Sequence, residues 1–259
     1  MTTAAGEPRR FDILLDVPER RGRGRRRWRT AVAVAAALAW WVAAPAAEPP
    51  RLHWPIACDH GADCWIVRHV DRDPGPGRRD VGCGTLTGDD HRGTDIALAD
   101  LAALGRGVAV LAPAAGTVAG VRDGMPDVAI DAPGAPALEG RNCGNGVRLE
   151  HGDGWVSQLC HLRRGSITVR PGDRVAAGDM VGRVGLSGET SFPHLHVGIE
   201  HDGRRIDAMD GAAVGAEPGC GAVDPLFTSE PRYIALPLVG AGVAPTAPED
   251  ADLLRGWHR

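Results

Sequence analysis

Gly146-Val147-Arg148-Leu149-Glu150 and Trp155-Val156-Ser157-Gln158-Leu159-Cys160 are alternating runs of apolar and polar residues, separated by His151-Gly152-Asp153-Gly154. Alternation with period two marks a strand with one buried face, and a Gly-rich turn between two such runs predicts an antiparallel hairpin. Working outward, short Val/Ile/Leu runs recur between turn signals at 107–111, 116–121, 166–169, 180–184 and 194–200. Strands at such spacing predict an all-β domain built on an antiparallel sheet. A single short helical turn is expected at 100–104. The stretch 123–141 is dense in Pro, Gly and Asp and reads as a long loop, either overhanging a groove or forming a solvated surface excursion. Two stretches, 108–118 and 167–175, share a strand, a Pro/Gly corner and a second strand. Carrier hairpins of the biotinyl type have this layout, and so does any β-rich chain that reuses turn chemistry.

Composition narrows the chemistry. All 29 basic residues are Arg, so Schiff-base chemistry, a phosphate-loop lysine and a lysine-modified carrier hairpin are excluded. Residues 1–29 carry nine Arg against Glu7, Asp12, Asp16 and Glu19, a net of +5, and no charged residue lies between Thr30 and Ala47. With −4 for the whole chain, the remainder carries −9, which argues against a nucleic-acid partner. The basic flank, the apolar run from Ala31 to Val42 and the small residues of Ala44-Pro45-Ala46 form an export signal in residues 1–47. It is either a cleaved signal peptide or an uncleaved anchor, and that anchor is the only membrane contact expected. In both cases the rest of the chain lies outside the cytoplasm, in the periplasm or cell envelope.

All six cysteines follow the export segment. An even number in an oxidising compartment predicts disulfides, while a cysteine zinc site would need a Cys-x-x-Cys pair that is absent here. Cys58 and Cys64 can close a small loop, Cys143 and Cys160 flank the hairpin, and Cys83 with Cys220 remain by elimination.

Two constellations carry chemistry: His91-Arg92-Gly93-Thr94-Asp95, and His194-Leu195-His196. Residues i and i+2 of a strand share a face, so His194 and His196 enter one pocket. His91 and Asp95 come from a turn leading into a strand. Two imidazoles and a carboxylate, with one position left for water, form a catalytic zinc set. A third piece is Cys160-His161-Leu162: by alternation Cys160 and His161 face opposite sides, which frees Cys160 for a disulfide while His161 faces the site. The other six histidines (His53, His60, His69, His151, His201 and His258) read as surface or core residues.

In this order on a β-rich exported domain, these motifs resemble the lysostaphin/LytM-type zinc metallopeptidases. The matching text runs from about Thr85 to Ile199. It includes Gly144-Asn145-Gly146-Val147, Pro171-Gly172-Asp173 and Gly185-Leu186-Ser187-Gly188, as well as the histidine motifs. The resemblance implies a β-sandwich-like LytM domain and one zinc ion held by His91, Asp95 and His196. It further implies His161 and His194 as the catalytic pair that positions water or stabilises the oxyanion, and peptide cross-links of bacterial peptidoglycan as substrate. The expected layout is an export segment at 1–47, a disulfide-containing lead-in at 48–83, the metallopeptidase domain at 84–227 and an irregular tail at 228–259. Leu159 replaces a frequent Tyr and Phe192 a frequent Gly; both are expected near the groove. The rival reading is a non-catalytic regulator of another wall hydrolase on the same fold, a class marked by loss of metal ligands.

Overall fold

A computed structural model describes residues 49–215, 220, 225–228 and 233. The expectations for the export segment and for His258 fall outside these residues. No helix among them is long and apolar enough to cross a membrane.

The expected hairpin is formed by β5 (Asn145–Gly152) and β6 (Trp155–Leu162). Asp153 and Gly154 link them with φ of 47° and 77°, the pair of left-handed residues that a tight type I′ turn demands. Around it stand β1 (Cys64–Arg68), β2 (Thr94–Leu98), β4 (Gly116–Arg122), β7 (Arg174–Val175) and β9 (His194–His201). They form an antiparallel sheet in the order β1-β2-β9-β6-β5-β4-β7, and β10 (Arg204–Ile206) pairs with the far end of β9. A second, two-stranded sheet joins β3 (Ala109–Leu111) to β8 (Met180–Arg183). The one helix described, α1 (Leu101–Arg106), starts at Asp100, whose carboxylate accepts from Ala103 N–H, and ends at Gly107, φ 80°. The fold is all-β, as expected.

Two stretches differ from expectation. The lead-in is not merely extended: its Cys64-Trp65-Ile66 run pairs with β2 as the sheet's edge, and Leu52 and Ile56 are fully buried. Its Pro and Asp content masks a strand whose partner lies about 30 residues downstream. Conversely, 166–169 forms no strand; its ordered contacts are single ones, such as Thr168 N–H to Val181 O at 3.1 Å.

Alternation sorts the two faces of the main sheet. Leu195, Val197 and Ile199 of β9, Leu159 of β6, Leu149 of β5 and Ile96 of β2 are buried together as the core. His194, His196 and Glu200 therefore stand on the opposite face. Leu159 belongs to the core face, as register partner of Val147 and Val197, so it lies away from the groove where it was expected. All six cysteines are paired: Cys58–Cys64, Cys83–Cys220 and Cys143–Cys160. Three disulfides mark an oxidising, extracytoplasmic compartment.

Candidate metal centre and active site

β2 and β9 run antiparallel with Asp95 opposite His196 and Ala97 opposite His194, which brings the two constellations onto one face. His91 reaches the same point from the turn before β2. Its Nε2 lies 3.1 Å from Asp95 Oδ1 and 3.2 Å from His196 Nδ1, and His196 Nδ1 lies 2.8 Å from the same oxygen. His194 Nε2 stands 3.5 Å from it. Gly93 makes this approach possible, since a Cβ there would lie 2.5 Å from Val197 O and 2.7 Å from His196 Nε2.

His161 arrives by a route that simple alternation does not supply. Cys160 is the register partner of His196, so a regular strand would turn His161 away from the site. Instead, Asn145–Val147 of β5 faces Leu159–Leu162 of β6, which places an extra residue in β6. His161 has φ 63° in this bulge, a left-handed conformation costing about 1–3 kcal/mol, and its ring swings to 4.6 Å from that of His194. Bonds on both sides fix it: His161 N–H donates to Cys143 O, and Gly185 N–H donates to His161 O, each at 2.9 Å. His161 therefore faces the site as expected, but through a bulge, with the Cys143–Cys160 disulfide immediately beside it.

Backbone carbonyls set the imidazole tautomers. His91 Nδ1–H donates to His69 O at 2.7 Å, His161 Nδ1–H to Ser187 O at 2.8 Å, and His194 Nδ1–H to Phe192 O at 3.0 Å. A carbonyl only accepts, so each Nδ1 carries the proton and each Nε2 keeps its lone pair. His196 instead presents Nδ1. Phe192 stacks on His194 at 4.5 Å and so lines the site, as expected.

Charge in the cluster is one-sided. Asp95 is buried, which by itself would raise its pKa, but the imidazoles of His194 and His91 hold it well below the usual carboxylate range. Burial lowers His91, but the adjacent Asp95 carboxylate outweighs that and raises it. Burial, followed by the neighbouring His194 and His196, drives His161 well below the ordinary imidazole value. Burial also lowers His196, with Asp95 opposing. Among the described residues, His91, Asp95 and His196 are the group whose donor atoms converge with no thiol locked in a disulfide; the other convergent set there contains Cys58 and Cys64, which are bonded to each other. A buried carboxylate and two lone-pair nitrogens aimed at one point fit a divalent cation of the zinc type.

Residues 89–208 match the sequence profile of peptidase family M23. A stretch of 66 residues is 35% identical to the peptidoglycan DD-endopeptidase ShyA of Vibrio cholerae, covering 26% of this chain and 15% of that protein. The chain thus spans a small part of that relative's length. Similar solved structures include a chain of the SpoIIIAH–SpoIIQ complex (20% identity, 60% of this chain and 96% of that one, TM-score 0.43). A catalytic-domain mutant of the prophage-encoded M23 protein EnpA from Enterococcus faecalis is 23% identical over 58% of this chain and 93% of that one, TM-score 0.39. The catalytic domain of the antimicrobial peptidase lysostaphin from Staphylococcus simulans is 21% identical over 54% and 86%, TM-score 0.34.

The stretch that matches the family profile brings together all five residues singled out from sequence. Of the remaining histidines, His53, His60, His151 and His201 make local contacts: His151 bonds Ala115 O and Ser157 Oγ, and His201 stacks on Trp155. His69 is different. Its carbonyl orients His91, a main-chain role that side-chain chemistry does not advertise. The carbonyls of Ser187 and Phe192 play the same kind of main-chain role, which residue identity does not advertise, although Phe192 itself is expected near the groove.

Proposed function

We propose that this chain is a zinc-dependent endopeptidase that hydrolyses peptide cross-links of bacterial peptidoglycan outside the cytoplasm. The carrying observation is the convergence of His91 Nε2, Asp95 Oδ1 and His196 Nδ1 beside two further imidazoles whose Nδ1–H groups are committed to backbone carbonyls. His91, Asp95 and His196 would hold the ion, which supplies Lewis acidity at that point. His161 and His194 do the proton work. With Nδ1–H committed to a carbonyl, each Nε2 accepts a proton from the attacking water and, once protonated, donates to the developing oxyanion or the leaving amine. Burial keeps His161 neutral, the form able to accept. The similarity to ShyA supports a peptidoglycan cross-link as substrate. The export signal in residues 1–47 supports delivery to the periplasm or envelope, with the membrane engaged only if that segment stays uncleaved.

The test is zinc content alongside muropeptide release from purified peptidoglycan. Expected are about one zinc per chain and soluble cleaved cross-links from the wild type. A zinc-loaded wild type that releases nothing would replace this reading with the regulator.

A further inference from the structure

His161 and His194 draw their Nδ1 partners from one short segment, 186–192. Ser187 O accepts from His161, and Phe192 O accepts from His194 at 3.0 Å. Thr190 Oγ1 sits 3.0 Å from His194 Nδ1 and donates to Phe192 O at 2.7 Å. His91 takes its partner from elsewhere, at His69. No strand or helix runs through 186–192, so something else must hold it.

From the sheet side, Ser187 Oγ accepts from Asn145 N–H at 2.9 Å and donates to Leu162 O at 2.8 Å. Gly144, φ 64°, packs backbone to backbone against Ser187, where a Cβ would have no room. From the other side comes the 123–141 loop. Asp127 Oδ1 accepts from Leu186 N–H at 2.8 Å, and its Oδ2 accepts from Arg164 N–H at 3.0 Å. Ile130 N–H donates to Thr190 O at 2.9 Å. The loop therefore grips the segment near both ends. It is itself tied down, because Met125 N–H and O bond both ends of the Asn145 amide at 2.8 Å, and Asp123 Oδ1 accepts from Gly165 N–H at 2.8 Å. The loop is a surface excursion, with no buried residue, that is nevertheless tied back to the sheet and to this segment.

We propose that the 123–141 loop is a positioning element for both His161 and His194, acting through Asp127 and Ile130 on the segment that holds their Nδ1 atoms. This rests on reading those two imidazoles as the reacting pair. Among the described residues no hydrogen bond of the loop reaches His91, Asp95, His196 or the His69 carbonyl behind His91, so its grip bears on turnover and not on metal binding. Asp127 is a positioning residue: its carboxylate is the one side chain of the loop that fixes Leu186, the neighbour of Ser187.

Asp127→Ala leaves the Leu186 and Arg164 N–H groups without their acceptor and loosens the carbonyl behind His161. Misplacing a reacting group by about 1 Å costs on the order of a hundredfold, so a partly released segment is expected to lower kcat about tenfold. KM should stay within about twofold and zinc at about one per chain, since neither the metal set nor the groove floor is touched. Asp127→Asn, whose amide oxygen serves one of the two donors, should fall between the two. A second readout is independent of hydrolysis: the slowly exchanging imidazole Nδ1–H resonances in proton NMR. Those of His161 and His194 should broaden or vanish in Asp127→Ala while that of His91 persists. Unchanged kcat with all three resonances intact would overturn the proposal. So would loss of all three together with zinc, which would make the loop a general support of the fold. Should wild type prove inactive, the enzymatic reading falls and the three resonances alone still decide whether the loop positions this pair.

Discussion

His69 offers a pH-dependent test that needs no substrate. Its side chain is fully buried, stacks on Tyr233 at 5.1 Å, and has no partner for either ring nitrogen among the described residues. Burial, only partly opposed by the Asp80 carboxylate, lowers its pKa from 6.5 to about 4. In that window the unfolded chain binds a proton at His69 that the folded chain refuses. Stability contributed by neutral His69 is therefore complete above pH 6.5 and drains away as pH falls towards about 4. The shift between the two states corresponds to about 3 kcal/mol. His69→Phe preserves the stack on Tyr233 and the backbone carbonyl while removing the titration. Urea unfolding of chelator-treated protein, disulfides intact, measures stability from neutral pH downwards for both chains. Wild type should lose about 3 kcal/mol more than the variant across the window. Parallel curves would refute the argument and mean that His69 finds a proton acceptor in the folded chain. Because His69 O also orients His91, the same acid window should loosen a residue proposed to hold the metal.

Further outcomes follow from the site. His91→Ala, Asp95→Ala and His196→Ala should each lose stoichiometric zinc in metal analysis, and full retention in all three would remove the ligand assignment. His161→Ala and His194→Ala should keep zinc while muropeptide turnover falls by about two to four orders of magnitude, the usual contribution of a positioned acid or base. Gly93→Ala should impair zinc binding without replacing a proposed ligand, because its Cβ would strike Val197 O and His196 Nε2; chelator competition measures it. Joint replacement of Cys143 and Cys160 by Ser should destabilise the domain by about 3 kcal/mol in urea, the loop-closure value for a short tether.

Much of the candidate site was legible because its side chains obey local periodicities. His194 and His196 share a face at i and i+2, and Asp95 joins them once β2 pairs with β9. The hairpin was legible from alternation and from the turn chemistry of Asp153-Gly154. What stayed hidden depends on non-local pairing. Cys64–Arg68 becomes a strand only because Thr94–Leu98 offers it an edge, whereas 166–169 has the right residues and gains few partners. Main-chain acceptors such as His69 O and Ser187 O leave no trace in residue identity, so the groups that fix the tautomers could not be found from side-chain motifs.

His161 shows how a correct placement can stand on an incomplete reason. Alternation from Cys160 reached the right face only because Cys160 was assumed to point elsewhere; its pairing with His196 puts it on the site face as well. Two consecutive residues can share a face only if the strand breaks its period between them, and the bulge with φ 63° at His161 does this. The left-handed backbone is unfavourable for a non-glycine residue, so the surrounding bonds have to overdetermine it. Cys143 supplies two such constraints, its carbonyl to His161 N–H and its sulfur to Cys160. The disulfide therefore closes the hairpin at the point where the sheet's regularity is given up to aim a side chain. Removing the sulfur bridge should cost turnover beyond its cost in stability, because the bridge at Cys160 lies one residue from the strained backbone that carries the His161 imidazole.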